Sequence, residues 1–152
     1  MELKEAKVLV TGGSLGIGYA AAKILIDAGA KVVISGRNES NLKKAAEELN
    51  ADYIAGDVSV ESDVVKMVNF TIEKLGGYNV LINNAAYVYF SPLIDIDTEK
   101  FNKVLMTNIT GAMFCGRESA KHFIQQSYGN IVNIASEMNY SLFLSVPSAF
   151  SV

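Results

Sequence analysis

The sequence predicts a doubly wound α/β fold, in which helices cover both faces of a mostly parallel β-sheet. Short runs rich in β-branched residues alternate along the chain with longer segments whose apolar residues recur at helical spacing. Near-continuous apolar strands separated by helices are typical of parallel sheets, because such strands are buried on both faces. The predicted strands lie at residues 8–10, 31–35, 53–55, 80–83 and 130–134. We expect the strand order 3-2-1-4-5, with ligands at the carboxyl ends of the strands.

The size and charge of the chain narrow the classes of function. Its 152 residues suit one domain, residues 1–152, and 50% of them are hydrophobic, which is enough for a sizeable core. A net charge of −3 without a basic stripe argues against a nucleic-acid partner, and no apolar run is long enough to span a membrane. The single cysteine, Cys115, and the single histidine, His122, exclude an internal disulfide and predict no metal site. The first residues contain no signal-peptide hydrophobic region, so we expect a cytoplasmic protein.

The first strand ends in a glycine-rich loop, residues 12–18. An Ala-rich helix is predicted over residues 16–28, and Gly29 is expected to end it. The first amides of a helix lack partners and carry partial positive charge, so this junction is suited to binding phosphate. Glycine lets a ligand approach where a Cβ would collide. We expect a dinucleotide to contact this loop at Gly12, Ser14, Leu15, Gly16, Ile17 and Gly18.

The spacing of this loop is Thr11-Gly12-x-x-x-Gly16-x-Gly18, which differs from the commonest dinucleotide fingerprint, G-x-G-x-x-G. It resembles the loop of the short-chain dehydrogenase/reductase family. Tyr19 and Lys23 match the Tyr-x-x-x-Lys pair that this family uses as its catalyst. We reject that match, because the pair lies directly behind the phosphate loop, and we interpret the two residues as surface or packing residues.

The end of the second strand is where cofactor choice is expected. In NAD-binding α/β units, an acidic residue about 20 residues after the glycine loop binds the ribose 2′-hydroxyl. Gly36 occupies that place here and Arg37 follows it. A guanidinium can bind a 2′-phosphate with two hydrogen bonds, so we expect NADP(H) to be favoured over NAD(H). Two observations leave this open: Arg37 could be a solvated loop residue, and Leu15 stands where many NADP-binding relatives carry a basic residue.

The next helices are predicted from their apolar spacing, over residues 38–49 and 60–75, with Ser59 as a good N-cap for the second. In the helix over residues 16–28, one apolar line at i, i+4 spacing is formed by Ala20, Ile24 and Ala28, away from Lys23 and Asp27. The apolar positions of the later two helices are Leu42, Ala45, Ala46, Leu49, Val64, Met67, Val68, Ile72 and Leu75.

Two further segments extend the resemblance at the ends of the third and fourth strands. Asp57 and Val58 match an Asp-Val pair that meets the adenine ring in the family, where the carboxylate accepts a hydrogen bond from the exocyclic amine. The alternative is that Asp57 and Ser59 only start the next helix, and both can hold. Residues 83–86 read Asn-Asn-Ala-Ala against the family's Asn-Asn-Ala-Gly. The resemblance implies that Asn84, Ala85 and Ala86 contact the cofactor.

A helical segment is predicted from the N-cap Asp97 to about Gln126, broken or bent near residues 107–111. The bend resembles the family's Asn-x-x-Gly step, which implies that Asn108 holds a water in a proton relay. An asparagine that only bonds nearby backbone at a helix bend is the alternative. His122 is interpreted as a surface helix residue, not a base.

Ser136 follows the fifth strand where the family has its catalytic serine, whose hydroxyl bonds the substrate oxygen. Downstream the resemblance fails, because Phe150 occupies the place of the catalytic tyrosine and the place of the lysine lies beyond Val152. Phenylalanine has no proton to give. The chain matches about the N-terminal three-fifths of a usual member, without the last strands and the helices of the substrate pocket.

Three interpretations follow. The resemblance implies an NADP(H)-dependent oxidoreductase that reduces a small carbonyl substrate or oxidises an alcohol, impaired here at Phe150, and assembled as a homo-oligomer, a dimer or tetramer. The second interpretation is a non-catalytic dinucleotide-binding module or sensor. The third, an S-adenosylmethionine methyltransferase, is weaker because the second strand ends without an acidic residue for the adenosine ribose.

Overall fold

A computed structural model describes residues 2–136, and these residues form an α/β fold around one five-stranded sheet. All four strand pairings are parallel and the strand order is β3-β2-β1-β4-β5. The predicted fold class and strand order are therefore confirmed. The strands are β1 (Lys7–Thr11), β2 (Lys31–Gly36), β3 (Asp52–Ala55), β4 (Val80–Asn83) and β5 (Asn130–Asn133).

The helices lie between the strands, so each crossover connection returns the chain to the same end of the sheet. They are α1 (Gly16–Asp27), α2 (Glu39–Leu49), α3 (Glu61–Leu75), α4 (Thr98–Leu105) and α5 (Ala112–Gln125). A π-helical turn, Met106–Gly111, joins α4 to α5 without a break in the helical path. Among the described residues, none of the helices combines the length and the apolar character needed to cross a membrane.

Alternate strand residues point to two separate cores, one on each face of the sheet. Val8, Val10 and Ile34 pack with buried residues of α1 and α2. Leu9, Val33 and Leu81 pack on the opposite face with buried residues of α3 and α5. This two-residue period is what buries a parallel sheet on both faces, and it leaves the carboxyl ends of the strands free for a site.

The inward face predicted for α1 is wrong. Ala20, Ile24 and Ala28 are exposed, with Ile24 at 67% of its full accessible surface, whereas Gly18 and Ala22 are buried. The reason is the rotation imposed at the start of the helix: a Cβ on Gly18 would collide with the Gly12 carbonyl and the Asn84 amide. Gly18 must therefore face inward, and Ala22, one turn later, follows it.

The N-cap predicted at Ser59 is also wrong. Its backbone N–H and its hydroxyl both donate to Asp57 Oδ1, at 2.9 and 2.7 Å, so the hydroxyl closes a turn before the helix. Helix α3 begins at Glu61, and Val60 is its N-cap residue without a side-chain hydrogen bond. The apolar faces of α2 and α3 are as predicted, with Ile72 partly buried and the other predicted positions buried.

The predicted bend in the helical segment 97–126 is the π-helical turn. Asp97 caps α4, accepting a hydrogen bond from the Lys100 N–H at 2.9 Å, as predicted. At the other end of the turn, Gly111 packs against the segment that leads into α3. A Cβ on Gly111 would lie 2.9 Å from Val58 Cγ2. His122 differs from the surface position predicted for it: it is half-buried, and its ring stacks on that of Tyr78 with a centroid separation of 6.2 Å.

Candidate functional site

A cleft of about 690 Å³ lies at the carboxyl ends of the strands, where the loops after β1, β2, β3 and β4 meet. The switch between the β1–β2 side and the β1–β4 side of the sheet falls here, because the crossovers run in opposite directions from β1. Its lining residues are Gly12, Ser14, Leu15, Ile17, Gly36, Arg37, Asn38, Asn41, Gly56, Asp57, Val58, Asn84, Ala85, Ala86 and Thr107.

Thr11 and Asn84 tie the loops after β1 and β4 together at the floor of this cleft. The Thr11 hydroxyl donates to the Ile82 carbonyl at 3.3 Å and accepts from the Asn84 and Ala85 N–H groups at 3.0 and 3.1 Å. The Asn84 side-chain amide donates to the carbonyls of Thr11 and Gly12 at 3.0 and 3.2 Å. Two adjacent strand ends are therefore held in fixed register by side-chain hydrogen bonds.

The glycines of the first loop are required by close approach. Gly12 has φ +67°, and a Cβ there would lie 2.9 Å from Ala85 Cα. A side chain at Gly18 would collide with the Gly12 carbonyl and the Asn84 amide. Substituted loops could not bring the start of α1 against β4, so the glycine spacing positions the helix N-terminus at the cleft.

The start of α1 differs from the starts of α2 and α4 in its capping. Leu15 precedes α1 and supplies no side-chain hydrogen bond, whereas Asn38 caps α2 through Asn41 N–H at 2.9 Å and Asp97 caps α4. The first amides of α1 thus have no side-chain cap, although they face a cleft. Amides in that position, at the positive end of a helix dipole, favour an anion.

The cleft carries one cation and one carboxylate close together. Arg37, directly after β2, places Nη1 4.0 Å from Asp57 Oδ2. Gly36 beside it has room for a Cβ, because the atoms nearest to one placed there would be those of Leu42, at 3.7 Å or more. Asp57 begins a tight turn, with its Oδ1 occupied by Ser59.

The geometry gathers most of the predicted binding residues into one place. Gly12, Ser14, Leu15, Ile17, Arg37, Asp57, Val58, Asn84, Ala85 and Ala86 line the cleft. Gly16 and Gly18 belong to the first turn of α1, and Gly18 is buried beneath the loop.

Five lining residues were missing from the predicted set: Gly36, Asn38, Asn41, Gly56 and Thr107. Gly56 directly precedes the predicted pair Asp57–Val58, so its place at the cleft could have been predicted from that pair. Thr107 has no local signal, because it enters from the π-helical turn, far along the chain.

Asn108 uses both ends of its side-chain amide on one neighbour. Its Oδ1 accepts from the Tyr87 N–H at 2.8 Å, and its Nδ2 donates to the Tyr87 carbonyl at 3.1 Å. It therefore fixes the loop after β4 to the helix bend. Ser136 is exposed, three residues past the end of β5, and is not among the residues that line the cleft. Phe150 lies outside the described residues.

Tyr19 and Lys23 have other partners. The Tyr19 hydroxyl donates to Glu48 Oε2 at 3.1 Å and Lys23 pairs with Asp27 at 2.8 Å, both on the protein surface. Tyr19 thus contacts α2 and Lys23 pairs within α1. Neither residue lines the cleft, as expected from the sequence.

Buried polar groups on the α3–α5 side of the sheet are structural. Tyr78 Oη and Ser119 Oγ lie 2.9 Å apart, and Ser119 donates to the Cys115 carbonyl. Burial raises the pKa of the Cys115 thiol to about 12 and raises that of Tyr78 as well. Both groups stay protonated at neutral pH. Within residues 2–136, no group of three or more His, Cys, Asp or Glu side chains is placed to hold a metal ion.

Comparisons with known proteins give a consistent result. The family model for short chain dehydrogenases matches residues 6–146. An uncharacterized oxidoreductase of Staphylococcus epidermidis is 34% identical over 137 residues, which cover 89% of this chain and 60% of that protein. One of Staphylococcus aureus is 31% identical, over 88% of this chain and 59% of that protein.

Solved structures agree in fold. A short chain dehydrogenase from Bacillus anthracis superposes with a TM-score of 0.84 at 33% identity, over 88% of this chain and 58% of that chain. One from Mycobacterium smegmatis gives 0.84 at 32% identity, over 90% and 59%. The chain therefore spans about three-fifths of the length of these relatives. With its glycine loop, its strand order and these matches, the chain belongs to the short chain dehydrogenase family.

Proposed function

We propose that this chain is the dinucleotide-binding part of an NADP(H)-dependent oxidoreductase that interconverts a small carbonyl compound and its alcohol. The observation that carries the proposal is the cleft itself. It combines an uncapped helix N-terminus, glycines packed so closely that a Cβ would clash, and an arginine at the end of β2. These are the features that bind a diphosphate and a ribose that carries a 2′-phosphate.

The residues present fit a dinucleotide. The amides at the start of α1 would hold the diphosphate, with Ser14, Leu15, Gly16 and Ile17 around it. Asp57 and Val58 would meet the adenine, while Asn84, Ala85 and Ala86 would lie along the ribose. Arg37 would bind a 2′-phosphate, and the absence of a carboxylate at Gly36 removes the group that selects NAD(H).

The chemistry assigned to the bound nicotinamide is hydride transfer to or from a substrate carbon. In our proposal the Ser136 hydroxyl bonds the substrate oxygen, and Asn108 fixes the loop after β4 through its bonds to Tyr87. Phe150 cannot donate a proton, so we propose that turnover by this sequence is slow.

Cofactor binding is the first test. We expect NADPH to bind the chain more tightly than NADH in a fluorescence titration. Arg37→Ala should weaken NADPH binding by about 10- to 100-fold, the loss of a charge-assisted pair, and leave NADH nearly unchanged. Lys44→Ala removes one positive charge from the outward face of α2 and serves as the matched control.

Gly36→Asp is the complementary change, because a Cβ at Gly36 would meet its nearest neighbours, atoms of Leu42, at ordinary contact distances of 3.7 Å or more. We expect it to reverse the preference towards NADH, since the new carboxylate would accept from a 2′-hydroxyl and repel a 2′-phosphate. Equal binding of the two cofactors by the unaltered chain, or a preference for NADH, would contradict the proposal for NADP(H).

Turnover is the second test, measured as NADPH oxidation with a panel of small aldehydes and ketones. The chain is lengthened at its C-terminus with the segment that follows in a curated relative. In that background Phe150→Tyr should raise the rate by about 100-fold or more, because it restores a general acid. Phe143→Tyr adds the same hydroxyl seven residues earlier in the sequence and is the control.

A second candidate function is a dinucleotide-binding module or sensor without catalysis. Phe150 favours it, because the substitution removes the proton donor without altering any residue of the cleft. No gain from Phe150→Tyr, together with tight NADPH binding, would support this candidate over the enzyme.

We also propose that the chain forms a homo-oligomer through the α4–α5 side. Phe101, Leu105, Ile109 and Met113 follow one another at every fourth position, and each is between 43 and 65% exposed. The π-helical turn keeps residues spaced by four on one side of the helix, whereas in an α-helix such residues would move gradually around the axis. An apolar line of this kind on a helix pair suits a second copy of the same chain.

A further inference from the structure

Arg37 and Asp57 face each other across the part of the cleft that lies between the ends of β2 and β3. The Arg37 side chain is 50% exposed and the Asp57 side chain 29% exposed, and the nearest nitrogen and oxygen are 4.0 Å apart. Both residues line the cleft. A ligand that binds Arg37 must therefore enter the field of the Asp57 carboxylate.

The Asp57 carboxylate is fixed in place by its own turn. Its Oδ1 accepts from the N–H and the hydroxyl of Ser59, at 2.9 and 2.7 Å. Its backbone N–H donates to Asp63 Oδ2 at 3.3 Å, and Asp63 is itself paired with Lys66 at 3.0 Å. With Oδ1 occupied, Oδ2 is the oxygen that faces Arg37.

We propose that Asp57 sets how strongly the cleft discriminates between NADP(H) and NAD(H), by competing with the 2′-phosphate for Arg37. This inference rests on the proposed function, since it needs the adenosine end of the cofactor beside Arg37. Asp57 weakens the phosphate's binding in two ways. It draws the guanidinium towards itself, and its negative charge repels the phosphate dianion.

Asp57 could also favour binding of the 2′-phosphate, but this effect is smaller than the repulsion. Asp57 could hold Arg37 ready for the phosphate, but a half-exposed pair at 4.0 Å stabilises one side-chain conformation only weakly. Repulsion between a carboxylate and a dianion close to it is the larger contribution, because the phosphate carries nearly two charges. Because the repulsion is larger, removing the charge of Asp57 should increase the preference for NADP(H) over NAD(H).

The test measures a ratio, because Asp57 is also proposed to contact the adenine. The probes are 2′,5′-ADP and ADP, which share the adenine, so any loss of that contact largely cancels when their affinities are divided. Asp57→Asn keeps an oxygen for the Ser59 hydrogen bonds and removes only the charge. Calorimetric titration of the whole chain with each probe gives the affinity ratio.

We expect Asp57→Asn to raise the affinity ratio of 2′,5′-ADP to ADP by about three- to tenfold, and this gain to shrink at high salt. Asp52→Asn removes the same charge at the opposite end of β3 and should leave the ratio unchanged. An unchanged or lower ratio in Asp57→Asn would overturn the inference. That result would leave the cofactor proposal standing if Arg37→Ala still abolishes the preference for NADPH.

Conversely, an unaltered chain that prefers NADH would refute the cofactor proposal. The shift caused by Asp57→Asn would still decide whether Asp57 opposes the 2′-phosphate. A chain that binds neither probe would refute both.

Discussion

Thr11 is the residue on which the floor of the cleft depends most. It is 1% exposed, and its hydroxyl takes part in three hydrogen bonds that join β1 to the end of β4. A methyl group in its place would leave the Asn84 and Ala85 N–H groups without this acceptor. A donor left unsatisfied in a partly buried position costs more free energy than an average hydrogen bond contributes.

We expect Thr11→Val to lower the free energy of unfolding by about 2–4 kcal/mol, measured by urea denaturation. Ser35→Ala is the matched control, because Ser35 is the register partner of Thr11 on β2 and its buried hydroxyl has no partner within the described residues. That variant should be unchanged or slightly more stable. Equal losses in both variants would show that burial, not hydrogen bonding, makes Thr11 important.

Much of the site at the residue scale could be predicted from sequence. Gly12, Arg37, Asp57 and Asn84 each follow a strand, and parallel strands bring such positions to one edge. Thr107 could not be found this way, because it reaches the cleft from a helix bend whose geometry is set by packing.

At the scale of the element, apolar periodicity succeeded where packing alone decides a helix face. The faces of α2 and α3 follow it, since their inward positions contact only the sheet and neighbouring helices. It failed in α1, where the rotation is set by the backbone contact at Gly18 and not by the apolar residues. A glycine whose Cβ would clash therefore fixes helix orientation more strongly than an isoleucine does.

Helix capping, like the helix faces, follows the sequence pattern at some positions and not at others. Asp97 caps α4 as predicted, whereas Asn38, predicted as the first residue of the helix over 38–49, is the N-cap of α2; each side chain accepts from the N–H three residues later. Ser59 does not, because the carboxylate of Asp57 two residues earlier accepts from both of its donors. A serine beside an aspartate has a competing local partner, and the helix start moves on to Glu61.

At the scale of the whole molecule, we propose that the chain associates through the exposed apolar line formed by Phe101, Leu105, Ile109 and Met113. We expect sedimentation velocity to give a mass greater than that of a single chain, because a second copy would cover this line. Ile109→Glu places a charge at the most exposed of its four positions and should shift the mass towards that of one chain.

Ile24→Glu is the control, since Ile24 is as exposed as Ile109 but lies on α1. It should leave the mass unchanged. A single-chain mass for the unaltered protein, or an equal effect of both substitutions, would contradict the proposed interface.

The π-helical turn also has a consequence for how this segment can change over evolution. It delivers Thr107 to the cleft while Gly111, four residues later, fits against Val58. A π-helical turn holds about one residue more than an α-helical turn, so a one-residue deletion between them can be absorbed by a return to α-helix, with α5 kept in its orientation. An insertion cannot be absorbed in this way: it would rotate α5 by roughly 100° around the helix axis and take Cys115 and Phe123 out of the core. We therefore expect single-residue deletions within residues 106–111 to be tolerated by the fold and insertions there to be eliminated.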